Sequence, residues 1–153
     1  MAKPKIGDIM EIPTKKGFAY AQYTHQHAQF GALIRVFDVI FQKPHEELSH
    51  VAGSPVRFST FFPIRAAVAR GIFRIVGCAD IADQNKGFPV FRAGIGDPGT
   101  KKVSVWWLWD GKTEQRVGEI TDEQRKLPIR SGWNDKMLVE RIEEGWRPES
   151  DPR

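Results

Sequence analysis

Alternating hydrophobic and polar positions predict a chain built mainly from short β-strands. Residues 8–13 and 18–23 follow this pattern on either side of a Lys-Lys-Gly turn, which indicates an N-terminal hairpin. β-Branched and aromatic residues dominate Gly31–Phe41, and Pro44 ends any ladder soon afterwards. Further strands are predicted over residues 57–62, 72–78, 88–92, 102–110 and 113–120, the last two joined by an Asp-Gly turn.

Signals for helices are fewer and mostly short. An Ala-rich segment between Pro63 and Gly71 predicts one short helix, because Pro suits a first turn and Gly a stop. Thr121 with a glutamine three residues later resembles a capping box for a single turn. Asn134 is suited to cap a longer helix over Asp135–Glu144, in which the apolar residues share one face.

Together these elements predict an α+β fold. We expect a β-rich, strongly bent antiparallel sheet or a partly closed barrel, with a few short helices and a C-terminal helix. The chain has 153 residues, of which 41% are hydrophobic, so one core is expected. Residues 1–146 are predicted to form a single globular domain and residues 147–153 a flexible tail.

Charge is distributed unevenly along the chain. The net charge is +4, yet residues 1–75 contain 10 Lys/Arg and 5 Asp/Glu, a net +5, whereas residues 76–153 contain 13 and 14, a net −1. A basic balance permits nucleic acid as a partner, but the chain has no long run of like charges, so the sequence does not favour it. No apolar stretch approaches the roughly 18 residues that cross a bilayer, no signal peptide is recognisable, and Cys78 is the single cysteine. We therefore expect a cytoplasmic protein without a membrane partner.

Several residue groups resemble chemical sites without their usual context. Gly94, Gly96 and Gly99 have dinucleotide-loop spacing, but a strand pattern follows them where a helix is needed, so a mobile hairpin loop is expected. His25 and His27 would share one side of a strand, and two ligands do not make a metal site. The other candidates are His45 and His50 as additional ligands, Cys78 in an apolar setting typical of buried residues, and the loop aspartates Asp80, Asp83 and Asp97. We predict no catalytic residue, no cofactor and no metal.

The tryptophan-rich strand is the most informative stretch of the sequence. Strict alternation places Val103, Val105, Trp107 and Trp109 on one face and Ser104, Trp106, Leu108 and Asp110 on the other. Both faces carry large apolar groups, which favours a central strand covered on both sides. We expect Trp107 to lie in the core with Val103 and Val105. The alternative for Trp106 or Trp109 is a place in a partner-binding patch.

The order of these segments resembles the immunity protein 26 family. The resemblance rests on residues 7–13, 17–22 and 71–77, and it continues through residues 88–92, the tryptophan strand and residues 140–145. It implies a bacterial immunity protein of a polymorphic-toxin or contact-inhibition system, which binds and neutralises a cognate protein toxin and has no catalytic activity. The alternatives are a nucleic-acid-binding β-barrel module and an enzyme built around the histidines or Cys78.

For the partner-binding surface we favour the acidic and aromatic C-terminal half. Tryptophans supply rigid apolar anchors, and carboxylates around them steer a basic partner. The predicted anchors are Trp106, Trp109 and Trp133, and the predicted rim is Asp110, Glu114, Asp135 and Glu140. The edge of the N-terminal hairpin over residues 8–23 is the alternative site, through strand addition.

Overall fold

The computed structural model describes residues 3–153 and contains a five-stranded antiparallel sheet. Its strands lie in the order β4-β3-β2-β1-β5. They are β1 (Asp8–Thr14), β2 (Gly17–His27), β3 (Gly31–Phe41), β4 (Val56–Phe61) and β5 (Arg74–Cys78). Register shifts interrupt the β1/β5, β2/β3 and β3/β4 pairs, and such bulges bend a sheet. Within the described residues β4 and β5 do not pair, so the sheet is bent but not closed.

A second, three-stranded antiparallel sheet contains β6 (Phe91–Ala93), β7 (Trp106–Trp109) and β8 (Glu114–Gly118). Residues 129–132 connect the two sheets, because Ile129 forms a parallel bridge with Arg92 of β6 and Gly132 forms one with Phe61 of β4. The prediction of a β-rich α+β fold with a strongly bent antiparallel sheet is confirmed. Its division into two sheets was not predicted.

The helices are α1 (Leu48–Ala52), α2 (Ile64–Ala69) and α3 (Asp135–Glu144), of which α1 was not predicted. The caps of α3 follow the sequence signals: the Asn134 side chain accepts a hydrogen bond from the Met137 amide at 2.8 Å, and Gly145 ends the helix with φ of 71°. Short 3₁₀ turns cover Asp83–Asn85, Gln124–Lys126 and Pro148–Ser150. The capping box before the second turn is confirmed, since Thr121 and Gln124 exchange hydrogen bonds of 2.9 and 3.1 Å.

Apolar side chains cover both faces of the larger sheet. Along β1, Met10 and Ile12 point to a cluster that includes Leu138 and Ile142 of α3. Ile9 points to the opposite cluster, which includes Val51 of α1. Burial on both faces explains why these strands read as nearly continuous hydrophobic runs. A third cluster joins the sheets and contains Leu33, Phe61, Phe91 and Trp109.

The C-terminal residues 147–153 contact the rest of the chain closely, although the sequence predicts a flexible tail. Pro148 accepts a 2.6 Å hydrogen bond from the fully buried Arg92, and Asp151 is only 4% exposed. The Arg147 guanidinium donates to Asp38 of β3 at 2.6 Å. Among the described residues, no helix is both long and apolar enough to cross a membrane.

Candidate functional site

In β7 the structure exposes Trp107, the tryptophan that the sequence predicts to be buried. Trp106 and Trp109 are 3% and 4% exposed, whereas Trp107 is 37% exposed. The expectation that Trp107 lies in the core with Val103 and Val105 is wrong. Trp107 and Trp109 do lie two apart on one strand, but aromatic side chains of the larger sheet cover only the Trp109 end. Across the ladder Trp107 pairs with Ala93 and Arg116, and a register shift between Trp106 and Trp107 interrupts the strict alternation that the prediction assumed.

Trp109 is the centre of an aromatic cluster between the two sheets. Its ring centre lies 5.0 Å from that of His27, 5.0 Å from that of Phe30 and 5.5 Å from that of Phe91. Phe61 also stacks on Phe91, with ring centres 5.1 Å apart. Trp109 is therefore a core residue that supports the surface above it, and it has little area of its own to offer a partner.

The ring nitrogens of His25 and His27, which the sequence offers as metal ligands, form hydrogen bonds with backbone groups of the chain. The His27 Nδ1 atom accepts from the Gln29 and Phe30 amides, which leaves Nε2 to donate to the Gly111 carbonyl at 2.8 Å. His25 Nε2 lies 2.8 Å from the Lys86 carbonyl, and burial lowers the pKa of His25. No group of three His, Cys, Asp or Glu side chains within residues 3–153 could hold a metal ion.

Two other groups singled out in the sequence also have clear positions. Cys78 is exposed at the end of β5, so the expectation of a buried setting is wrong. β5 lies at an edge of the sheet, where a strand is covered on fewer sides than a central one. Asp97 accepts hydrogen bonds from the Gly99 and Thr100 amides at 2.8 and 2.9 Å, which stabilises the turn in the glycine-rich loop.

The four carboxylates of the predicted acidic rim are all engaged within the protein. Asp110 accepts hydrogen bonds from the amides of residues 112 and 113 in its own turn, and these bonds lower its pKa. The other three form ion pairs, Glu114 with Arg130 at 2.7 Å, Asp135 with Arg70 at 3.3 Å, and Glu140 with Lys136 at 3.9 Å. Three of the four rim carboxylates are therefore paired with a cation, whereas Asp110 keeps its negative charge. A direct contact of these residues with a partner stays a prediction.

Trp133, the third predicted anchor, is 7% exposed. Its ring lies against Phe58 and Trp146, and the Arg141 guanidinium lies 4.3 Å from its centre. Its indole N–H donates to the Ser131 hydroxyl at 3.0 Å. These contacts place Trp133 between α3 and the larger sheet, and not beside Trp107.

The exposed apolar residues that lie near each other surround a different side chain, Arg130. Ile95 is 93% exposed, Phe30 38% and Trp107 37%. Arg130 donates to Glu114 at 2.7 Å, and its guanidinium lies 5.0 Å from the Trp109 ring centre and 5.5 Å from that of Phe30. We call this region the Arg130 surface, and it contains Phe30, Ile95, Trp107, Glu114 and Arg130.

Two depressions meet at the Arg130 surface. One of about 450 Å³ is lined by Ile95, Trp107, Glu114 and Arg130, and one of about 390 Å³ is lined by Phe30 and Arg130 among others. Of the predicted site residues the surface contains only Glu114, with Trp109 beneath it, and Trp133 lines the second depression. Sequence reasoning missed Phe30, Ile95 and Arg130, because no local pattern indicates that three distant segments meet here.

A polar cluster separate from the Arg130 surface lies beside β5, and hydrogen bonds join its central residues Glu11, Tyr20 and Arg74. The buried Glu11 accepts from the Tyr20 hydroxyl at 2.8 Å and from Arg74 at 3.0 Å. Tyr20 also accepts from the His45 amide at 2.7 Å, and His45 and His50 ring nitrogens are 3.2 Å apart. Burial and the hydrogen bond to Glu11 raise the pKa of Tyr20. The central groups satisfy one another, so the cluster serves to join strands and loop.

The geometry thus defines a small two-sheet α+β domain with an exposed aromatic and charged surface. The family model described as Immunity protein 26 matches residues 5–102, and the chain belongs to this family. Neither a curated protein nor a solved structure matches the chain. The match covers β1 to β6 and therefore includes Phe30 and Ile95. It ends before Trp107, Glu114 and Arg130, and before all seven predicted site residues. Family membership indicates an immunity protein and favours a non-catalytic role.

Proposed function

We propose that this chain is a cytoplasmic immunity protein that binds a cognate toxin of a polymorphic or contact-dependent system and neutralises it through protein–protein contact. Family membership supports the immunity role. The observation that carries the binding proposal is the Arg130 surface, where exposed Trp107 and Ile95 flank the Glu114–Arg130 ion pair. Neutralisation by binding requires no catalytic group on this chain.

The composition of the Arg130 surface suits a protein partner. Trp and Arg are enriched among residues that dominate binding energy, especially where they lie near the centre of an interface. Trp107 offers a large ring to a partner, and Ile95 extends the apolar area beside it. Clustered exposed apolar residues of this kind are uncommon on surfaces without a binding role.

The support beneath the surface suits binding as well. Arg130 is held by two aromatic rings and one carboxylate, so little side-chain freedom remains to be lost on association. Trp109, packed among rings of both sheets, gives this arrangement a rigid base. A preorganised Arg next to an exposed Trp is the kind of anchor that favours slow dissociation.

Coexpression tests this proposal. We expect the wild-type chain to restore growth of cells that produce the toxin-like protein encoded by the neighbouring gene. Trp107→Ala should remove protection while the thermal melt stays near that of the wild type, because the ring is exposed. Ile6→Ala is the matched control, since Ile6 is an exposed apolar residue outside the Arg130 surface. Full protection by Trp107→Ala would contradict the proposed surface, and failure of the wild type would contradict the immunity role.

A further inference from the structure

The Arg130 surface is one end of a longer groove. Its second depression continues past Phe30 and Arg130 to Ala32, Phe62 and Pro63. These last three residues also line a third depression, of about 250 Å³, that reaches Lys3 and Arg65. The three depressions are therefore neighbours, each sharing at least one lining residue with the next, and we call them together the groove.

The groove has an apolar floor and basic sides. Phe61, Phe62 and Trp133 lie along the floor and are at most 7% exposed. Its basic lining residues are Lys3, Arg65 and Arg130, and its acidic lining residue is Glu114, which already pairs with Arg130. Arg65 is exposed, and no carboxylate of the described chain forms an ion pair with it. The end of the groove near Arg65 therefore carries uncompensated positive charge.

The positive charge at this end of the groove favours an acidic binding partner. A carboxylate-bearing partner gains favourable electrostatics at Arg65 and Lys3, whereas a basic partner meets like charge there. The net charge of +4 for the whole chain favours an acidic partner in the same direction. Of the four carboxylates predicted to steer a basic partner, only Glu114 lines the groove, and it pairs with Arg130, so these carboxylates do not oppose this conclusion.

The distribution of charge along the groove favours a polypeptide over a nucleic acid. Single-stranded nucleic acids bind by stacking bases on exposed aromatic faces. Phe30 and Trp107 are partly exposed rings, but the lining cation next to them, Arg130, already pairs with Glu114. A groove that follows a nucleic acid backbone needs positive charge along its length. An extended acidic peptide needs countercharge at only a few positions, and the lining cations Lys3 and Arg65 supply it at one end of the groove.

Resting on the proposed function, we infer that the groove binds an extended, acidic segment of the toxin. Apolar side chains of that segment contact the exposed Phe30 and Pro63, which line the groove. Its carboxylates pair with Arg65 and Lys3 at the end away from Trp107. The Arg130 surface then supplies the aromatic anchor, and the groove supplies the charge-dependent part of recognition.

Charge reversal tests this inference. The probe is the neighbouring toxin-like protein carrying an inactivating substitution, titrated calorimetrically against the purified chain. Lys3→Glu combined with Arg65→Glu should weaken affinity about tenfold or more and flatten its salt dependence, because two attractive contacts become repulsive. Lys43→Glu is the matched control, since Lys43 is exposed and outside the groove, and it should leave affinity unchanged.

Amide hydrogen exchange of the wild-type chain is a second measurement, and it locates the bound toxin without any variant. Bound toxin should protect residues 30–32, 62–65 and 130–133 of the wild-type chain. If the wild type binds but the double variant binds equally well, or protection falls elsewhere, the groove inference is overturned and the immunity role stands. If the wild type neither binds nor protects cells, the proposed function itself fails. Salt-dependent binding of oligothymidylate that the double variant loses would overturn the inference in favour of nucleic acid.

Discussion

The Arg130 guanidinium lies 5.0 Å from the centre of the Trp109 ring, and this pair joins the core between the two sheets to the surface above it. Trp109 is buried, whereas Arg130 is partly exposed and also holds Glu114. Guanidinium groups stack on aromatic rings and bind carboxylates through a planar fork, and an ammonium group does not reproduce both contacts. The identity of residue 130 therefore matters beyond its charge.

Arg130→Lys should separate binding from stability. We expect toxin affinity to fall about tenfold, because the lysine loses the fixed orientation over Trp109 and Phe30. The free energy of unfolding should fall by only about 1 kcal/mol, since the stacking is partly exposed to solvent. Calorimetric titration and urea unfolding measure the two quantities. Equal affinity of the lysine variant would show that charge alone suffices at this position.

Replacing Trp107 and replacing Trp109, which lie two residues apart in β7, should have sharply different effects on the free energy of unfolding. Trp109→Ala should lower the free energy of unfolding by about 3 to 5 kcal/mol, because it leaves a cavity between the sheets. Trp107→Ala should cost less than about 1 kcal/mol, since its ring is exposed. Urea unfolding of both variants measures the difference. A loss at Trp107 as large as that at Trp109 would mean that its ring is buried in solution.

Features that depend on neighbouring residues could be predicted from the sequence, whereas features that depend on tertiary contacts could not. The caps of α3, the Asp-Gly turn and the β-branched run of β3 depend on neighbouring residues, so local patterns predicted them well. A register shift between Trp106 and Trp107 breaks the alternation along β7, and the exposure of Trp107 also depends on what packs over the strand, which is a tertiary property. The contact of Arg130 with Phe30 joins residues far apart in the chain, and no spacing rule indicates it.

Tyr20 should make stability sensitive to alkaline pH. Burial raises its pKa above the ordinary value of 10.0, so the folded state retains the phenol proton more strongly than the unfolded state. Its contribution is therefore fully present below about pH 10 and is lost as the pH rises through the folded-state value. Burial also raises the pKa of Tyr23, the other tyrosine of the chain.

A spectroscopic titration checks this prediction. Phenolate absorbance of Tyr23→Phe, which reports Tyr20 alone, should appear above pH 10.0 and coincide with loss of folded structure. Tyr20→Phe should be less stable by about 1 to 3 kcal/mol near neutral pH, because it leaves Glu11 without a buried hydrogen-bond donor. Titration of Tyr20 at its ordinary pKa in the folded protein would contradict its placement beside Glu11.

Asp38 should make stability sensitive to acid. Partial burial raises the pKa of Asp38, but hydrogen bonds from Arg147 and Arg57 outweigh burial and lower it below 3.8. The stabilisation is therefore present above the unfolded-state pKa and is lost as the pH falls through the folded-state value. Asp38→Asn should cost about 1.5 to 3 kcal/mol near neutral pH. The difference from wild type should shrink below about pH 4, as measured by urea unfolding across pH.

Removal of residues 147–153 tests whether the C-terminal segment is a tail or part of the fold. The sequence predicts that it frays, whereas the structure places Pro148 against Arg92 and Arg147 against Asp38. Deleting the segment would leave the fully buried Arg92 guanidinium without its carbonyl partner, and unpaired buried charges are costly. We expect the free energy of unfolding to fall by about 3 kcal/mol or more.

Arg92→Met provides the matched comparison for that truncation. Burial lowers the pKa of Arg92 to about 10, which reflects how poorly its charge is solvated, and the Trp106 ring that lies against it would accept an apolar side chain. In the Arg92→Met background the same truncation should cost clearly less than in the wild type, because no buried charge at position 92 loses its carbonyl partner. Urea unfolding of the four proteins in this cycle gives the coupling free energy. No cost in either background would mean that residues 147–153 behave as the flexible tail that the sequence predicts. Equal, non-zero costs would mean that the segment stabilises the fold without its contact to Arg92.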